Sequence, residues 1–145
     1  TNFYSYVKND PINWTDIFGL AHFGKRPLNG LPWFPGGSEN PLDDYLNTEL
    51  SHEHLFFDDG TNIGFGPKDG GLFGPGHFFI DPNLNAYRYN TKHYDDALMR
   101  QALENVMSNW NMEYNVLTNN CQHFTEALRK EYERLKNETE KRCQY

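Results

Sequence analysis

Cysteine is scarce in this chain, with Cys121 and Cys143 the only two among 145 residues, so no disulfide framework can hold the fold together. No apolar run approaches the roughly 20 residues of a membrane span, and no basic-then-apolar segment resembles a signal peptide. Basic residues are also in deficit. Lys and Arg number 13 against 20 Asp and Glu, a net charge of -7, and that balance disfavours nucleic acid and anionic membranes as partners. A protein or a small molecule is the expected partner. What the chain does have is aromatics: 11 Phe, 9 Tyr and 3 Trp supply large core members although apolar residues make up only 37%. The length suits one domain with one mid-sized core.

Residues 1–20 show no sustained period of 3.6 or 2, with Pro11 and Gly19 as breakers, and read as a leader or linker. Residues 21–49 are crowded with Pro and Gly and read as irregular wrapping structure, with Leu31, Trp33 and Phe34 expected to dock on the core. Leu50 to Asp58 is the first strand signal. The turn Asp58-Asp59-Gly60-Thr61 joins it to a second strand over Asn62 to Gly66. Gly70, Gly71, Gly74 and Gly76 suggest a mobile connection, followed by a short strand at His77 to Ile80.

Asp95 and Asp96 open a helix whose apolar face is Leu98, Ala102, Leu103 and Val106. Tyr114 to Leu117 reads as a fourth strand. A last helix starts near Asn120, with Phe124, Ala127, Leu128, Tyr132 and Leu135 as its stripe and the charges from Arg129 to Arg142 as a solvated face. The expected class is α+β, a small antiparallel sheet packed against helices.

The most informative run is Asn119-Asn120-Cys121-Gln122-His123-Phe124. An Asn pair before an apolar-periodic helix is an N-cap signal, so Cys121 falls in the first helical turn, where unpaired N–H groups favour a thiolate and could hold an oxyanion. A cysteine nucleophile needs a base. His52 and His54 stand at i and i+2 on one strand, hence on one face of the sheet, and either could take the thiol proton and return it to a leaving group. His123 diverges from Cys121 by about 200° on a helix and is expected to be structural. His22 and His93 have no partner visible in sequence, and Cys143 reads as an exposed bystander in a charged tail.

A zinc site built from His52, His54, Cys121 and His123 has the right number of N and S donors. Two donors two positions apart on a helix diverge, however, which disfavours it. The cysteine–histidine reading calls for no metal and no cofactor. A small buried Cys with no chemistry is the plain alternative.

Two resemblances bear on these residues. Pro11, Asp16, Gly19 and Leu20, preceded by Tyr6 and Asn9, resemble the closing signature of the Rhs repeat core, P-x-x-x-x-D-P-x-G-L, with Ile17 in place of its second Pro. That resemblance implies a boundary near residue 20. Residues 1–20 would be the tail of a delivery shell, and residues 21–145 a C-terminal toxin carried by a contact-dependent secretion apparatus into the cytoplasm of another bacterium. It also implies a cognate immunity protein in the producing cell.

The run N-C-Q-H-F with T-E-A-L-R resembles the N-C-E-H-F-V-x-x-L-R motif of the lecithin:retinol acyltransferase-like group, circularly permuted relatives of papain-like cysteine hydrolases. This implies a papain-like fold with Cys121 as nucleophile. The group's histidine strand, H-W-A-I-Y-V-G-D-G, aligns with His52 to Gly60 and makes His52 the base, leaving His54 as an orienting partner or a half-buried polar residue. The group's second histidine falls at Gly64, so the third member is not carried over, and Asn62, His77 and Asp81 remain candidates.

The substrate expected from this is a peptide bond in proteins of the invaded cell. No membrane-binding helix and no cell-wall-binding repeat is visible in the sequence. Acyl transfer or lipid hydrolysis, and glutamine deamidation, would use the same pair of residues.

Overall fold

The computed structural model describes residues 19–27 and 51–143. Leu31, Trp33 and Phe34, and most of the Rhs-like signature, lie outside these residues. The described chain is α+β. Strands β1 (Leu20–Pro27), β2 (Ser51–Phe56), β3 (Asn62–Pro67) and β4 (Phe73–Phe79) are followed by β5 (Arg88–Asp95), helix α1 (Asp96–Ser108), β6 (Glu113–Asn115) and helix α2 (Cys121–Arg142). The six strands form one antiparallel sheet in the order β5-β1-β2-β3-β4-β6.

Sequence patterning located β2, its hairpin to β3, and both helices. In that hairpin Gly60 takes a φ of 83°, a conformation L side chains rarely adopt. Two strand expectations need correction, and one strand carries no sequence signal. Leu20–Pro27, read as irregular, is a central strand, because Ala21 and Phe23 alternate into the core and the backbone finds partners on both sides. The glycine-rich stretch before His77 is largely strand as well: β4 starts at Phe73, and Gly76 lies against Phe65 where a side chain would collide. Arg88–Asp95 is an edge strand whose first six residues are exposed, so it carries no hydrophobic alternation to be read.

Both helices have side-chain N-caps. Asp95 accepts from the Leu98 N–H at 2.8 Å, and Asn120 accepts from the Gln122 and His123 N–H groups at 3.0 Å each. The core lies between one sheet face and the helices. Ala21, Phe23, Leu55, Phe65, Tyr94, Met99, Ala102, Tyr114, Phe124, Leu128, Tyr132 and Leu135 are all buried in it. Arg129, read as part of a solvated helix face, instead faces the sheet.

Strand register settles which side chains share this core. Leu55 pairs with Ile63 and Phe23, so Leu55, Glu53 and Ser51 face α2, whereas Phe56, His54 and His52 face away. The opposite face is not bare. The stretch after β4, through Asp81 and a short turn of 3-10 helix at Leu84–Ala86, crosses it to reach Tyr87.

Candidate functional site

Cys121 is the first residue of α2, as its spacing from the Asn pair predicts. Both asparagines are structural anchors. The Asn119 amide donates to the carbonyls of Asn111 and Glu113, and the Asn120 amide donates to the Val116 carbonyl, so the turn entering the helix is tied down on both sides. His123 Nδ1 lies 2.7 Å from Asn120 Oδ1, which gives that ring a place at the cap.

The Cys121 thiol donates to the Ser51 carbonyl at 3.6 Å and is buried. Burial pushes it up to about 11. The N–H groups of Glu53, Gln122 and Cys121 itself favour the thiolate, while the Glu53 carboxylate opposes it. Tyr114 is a further neighbour, pushed up to about 12 by its burial and then by the charge of a Cys121 thiolate. Around neutral pH this thiol is protonated.

Below the thiol, the α2 stripe Cys121, Thr125 and Arg129 runs along β2 at a spacing of four residues. Glu53 is buried there, accepting from the Thr125 hydroxyl and paired with the Arg129 guanidinium, which also lies 4.0 Å from the centre of the Phe23 ring. This pair joins strand and helix across the core. Sequence reading missed it because Glu53 and Arg129 are 76 positions apart. The available signal was a charged residue alternating with two histidines in an otherwise apolar strand.

His52 and His54 share one face of β2, and it is the face turned away from Cys121. His52 Nε2 and His54 Nδ1 are 2.8 Å apart, one donating to the other, and both rings are buried. Burial, then the neighbouring His54 and Arg26, pulls His52 down to about 3; burial pulls His54 down to about 4 against the opposing attraction of Asp81. Both are therefore neutral at pH 7. His54 Nε2 is buried without a hydrogen-bond partner.

The two rings fit only because Gly64 lies opposite. A methyl group there would drive into the His54 ring and crowd His52. The resemblance aligned a second histidine with this position; here the room goes to the two rings of β2.

All three candidates for a third catalytic member are on this same side. Asn62 and Asp81 bond each other twice, the Asn62 amide donating to the Asp81 carbonyl at 3.1 Å and the Asp81 N–H to Asn62 Oδ1 at 2.9 Å. Asp81 Oδ2 accepts from Arg26 Nε at 2.9 Å and from the Tyr87 hydroxyl at 2.8 Å. Burial opposes the Asp81 charge, but the Asn83 N–H, Tyr87 and Arg26 outweigh it and hold Asp81 below the ordinary carboxylate range. The Tyr87 hydroxyl in turn lies 3.4 Å from His54 Nδ1. His77 stacks on Phe79, which also stacks on His52.

The structure thus gathers His52, His54, Asn62, Asp81 and His77, with Arg26 and Tyr87 added, on one side of the sheet, and leaves Cys121 on the other. The thiol and the two imidazoles share no hydrogen bond. The four donors of the zinc reading are divided between the two faces, and no group of three or more His, Cys, Asp or Glu able to hold a metal occurs among the described residues. Among the same residues, no helix is long and apolar enough to cross a membrane. Searched against known proteins, the chain matches no family model, no curated protein and no solved structure.

Proposed function

We propose that the chain is the toxin domain of an Rhs-type effector and acts as a papain-like cysteine hydrolase, with Cys121 as nucleophile, cleaving peptide bonds in proteins of an invaded bacterium. The observation that carries this reading is the position of Cys121 within its motif. It opens a capped helix, three backbone N–H groups oppose the burial that keeps its thiol protonated, and the strand that touches it is the one carrying His52.

As described, the thiol is protonated and both imidazoles face away from it. Catalysis requires the His52 ring on the Cys121 side. His52 directly follows Ser51, whose carbonyl the thiol contacts, so this reading needs the head of β2 to turn over. His52 would then take the proton from sulfur, the thiolate would attack the carbonyl, and the same ring would protonate the leaving amine. Expression of the chain in bacteria should arrest growth. Cys121→Ala and His52→Ala should each abolish the arrest, with new protein termini in cells carrying the parent chain only. Toxicity of Cys121→Ala equal to the parent overturns the reading. An acyl group on Cys121 without cleavage, or a mass shift of about one unit on an intact target, would select acyl transfer or deamidation instead.

A second reading is favoured by the burial of the thiol: a binding module in which Cys121 is a core residue. The two readings differ in an alkylation experiment on the folded protein in the presence of target-cell extract. The hydrolase exposes and labels Cys121 on engagement with substrate. The binding module labels only Cys143.

A further inference from the structure

The histidine face holds two buried rings that make no contact with Cys121, and over them lies the segment Asp81–Tyr87. Pro82 to Asn85 are exposed; the segment is held at its ends, by two hydrogen bonds between Asn62 and Asp81, the Arg26–Asp81 ion pair, and Tyr87, whose ring packs on Phe56 and His54 and whose hydroxyl stands between Asp81 and His54, with one bond from the Tyr89 hydroxyl to the Leu84 carbonyl between them. We infer that Asp81–Tyr87 is a strap latched onto the sheet by the neutral His52–His54 pair, and that it opens in acid when the pair takes up protons.

Geometry supplies the reason. With His52 Nε2 and His54 Nδ1 at 2.8 Å, one nitrogen must present its lone pair to the N–H of the other. A first added proton can go only to an outer nitrogen, His52 Nδ1 or His54 Nε2 according to which ring donates at the contact, and His54 Nε2 is buried without a hydrogen-bond partner. A second proton sets N–H against N–H at the contact itself. Gly64 lies directly against both rings and Phe79 packs on them, which restricts how far they can separate within the closed state.

The charged and titratable neighbours act in both directions. Arg26 of β1 repels a cationic pair, and Asp81 attracts it; Tyr87 stays protonated because burial raises it. His77 of β4 is separated from His52 by the Phe79 ring, and the uncharged Asn62 of β3 and the Phe79 backbone favour a protonated His54 but do not overcome its burial. From β5, Tyr89 packs on Phe56, and His93 lies beside His22 of β1. Asp81 keeps its charge between pH 7.5 and 4.5, since it is held below the ordinary carboxylate range.

The sign follows from the imidazoles. Both bind protons more weakly in the closed state than the ordinary 6.5, so their contribution is complete above pH 6.5 and is lost as the pH falls from there towards 4 and then 3. Each proton taken up on opening multiplies the opening constant by up to about tenfold per pH unit, and two by up to about a hundredfold.

Hydrogen exchange of the full chain from pH 7.5 to 4.5 tests this, expressed as protection factors. Protection of the Asp81, Asn83 and Tyr87 amides should collapse below pH 6 while the central amides of α2 remain protected. The double substitution His52→Gln with His54→Gln should remove that pH dependence, and His22→Gln with His93→Gln should retain it. Should the double variant fail to fold, the ring resonances of the parent decide: both rings stay neutral until the strap opens. Rings that titrate near pH 6.5 under a closed strap overturn the inference, as does loss of strap and α2 protection in parallel. Neither outcome depends on whether Cys121 is a nucleophile.

Discussion

The two faces of the sheet solve opposite problems with the same strands. On the helix face, Leu55, Phe23, Phe65, Phe124 and Leu128 form an apolar core, and the charged Glu53 sunk into it is matched by Arg129 and Thr125. On the far face the rings of His52, His54, Phe56, Phe79 and Tyr87 pack on one another, and a chain of polar contacts runs from Arg26 through Asp81 and Tyr87 to His54, whose Nε2 is left without a partner. The helix face owes its stability to area removed from water, which is insensitive to pH, whereas the far face depends on two imidazoles staying neutral. A strand of six residues serves both because its side chains alternate, and a slip of one residue would exchange the two environments.

The contrast can be broken hardest at Glu53. Glu53→Ala leaves the Arg129 guanidinium, largely enclosed, without its carboxylate, and should cost about 3 kcal/mol in denaturant unfolding at any pH between 5 and 8. A loss under 1 kcal/mol would mean that Arg129 finds water instead. Next is Gly64→Ala on the far face, where the added methyl meets His54 and His52; a loss of about 2 kcal/mol is expected, and most of it should vanish when His54 is also Ala. Additive losses in that double variant would show that the rings are not what the glycine accommodates.

Asn120→Ala should remove about 1 kcal/mol by uncapping α2, without altering the acid response of the far face. The smallest effect belongs to the exposed end of that helix. Glu138→Gln breaks an exposed pair with Arg134, which keeps Glu131, and should leave the denaturant midpoint within error of the parent, at low salt and at high.

Much of this could be read from residue order. The Asp-Asp-Gly turn, the 3.6-residue stripes of the two helices, and the Asn before Cys121 are local signals, and each marks its element correctly. That His52 and His54 share a face was equally local. Which face they share was not, because it depends on Leu55 being drawn into the core with Phe23 and Phe65, residues from other strands. Strands β1 and β5 were missed for a related reason: one is embedded in a Pro- and Gly-rich context, the other is an exposed edge whose only cue is pairing with β1.

Sequence by itself determined the secondary elements with a regular period, the capped helix that begins at Cys121, and an acidic chain with no disulfide framework. Tertiary structure alone decided that Cys121 and the histidines lie on opposite sides of the sheet, that Glu53 meets Arg129, and that Asp81, Arg26 and Tyr87 converge on His54. The physical reason is range. Caps, turns and periodicity are set by neighbours within about four residues, while burial of one strand face is a contest among all the apolar groups of the chain, which no local pattern records.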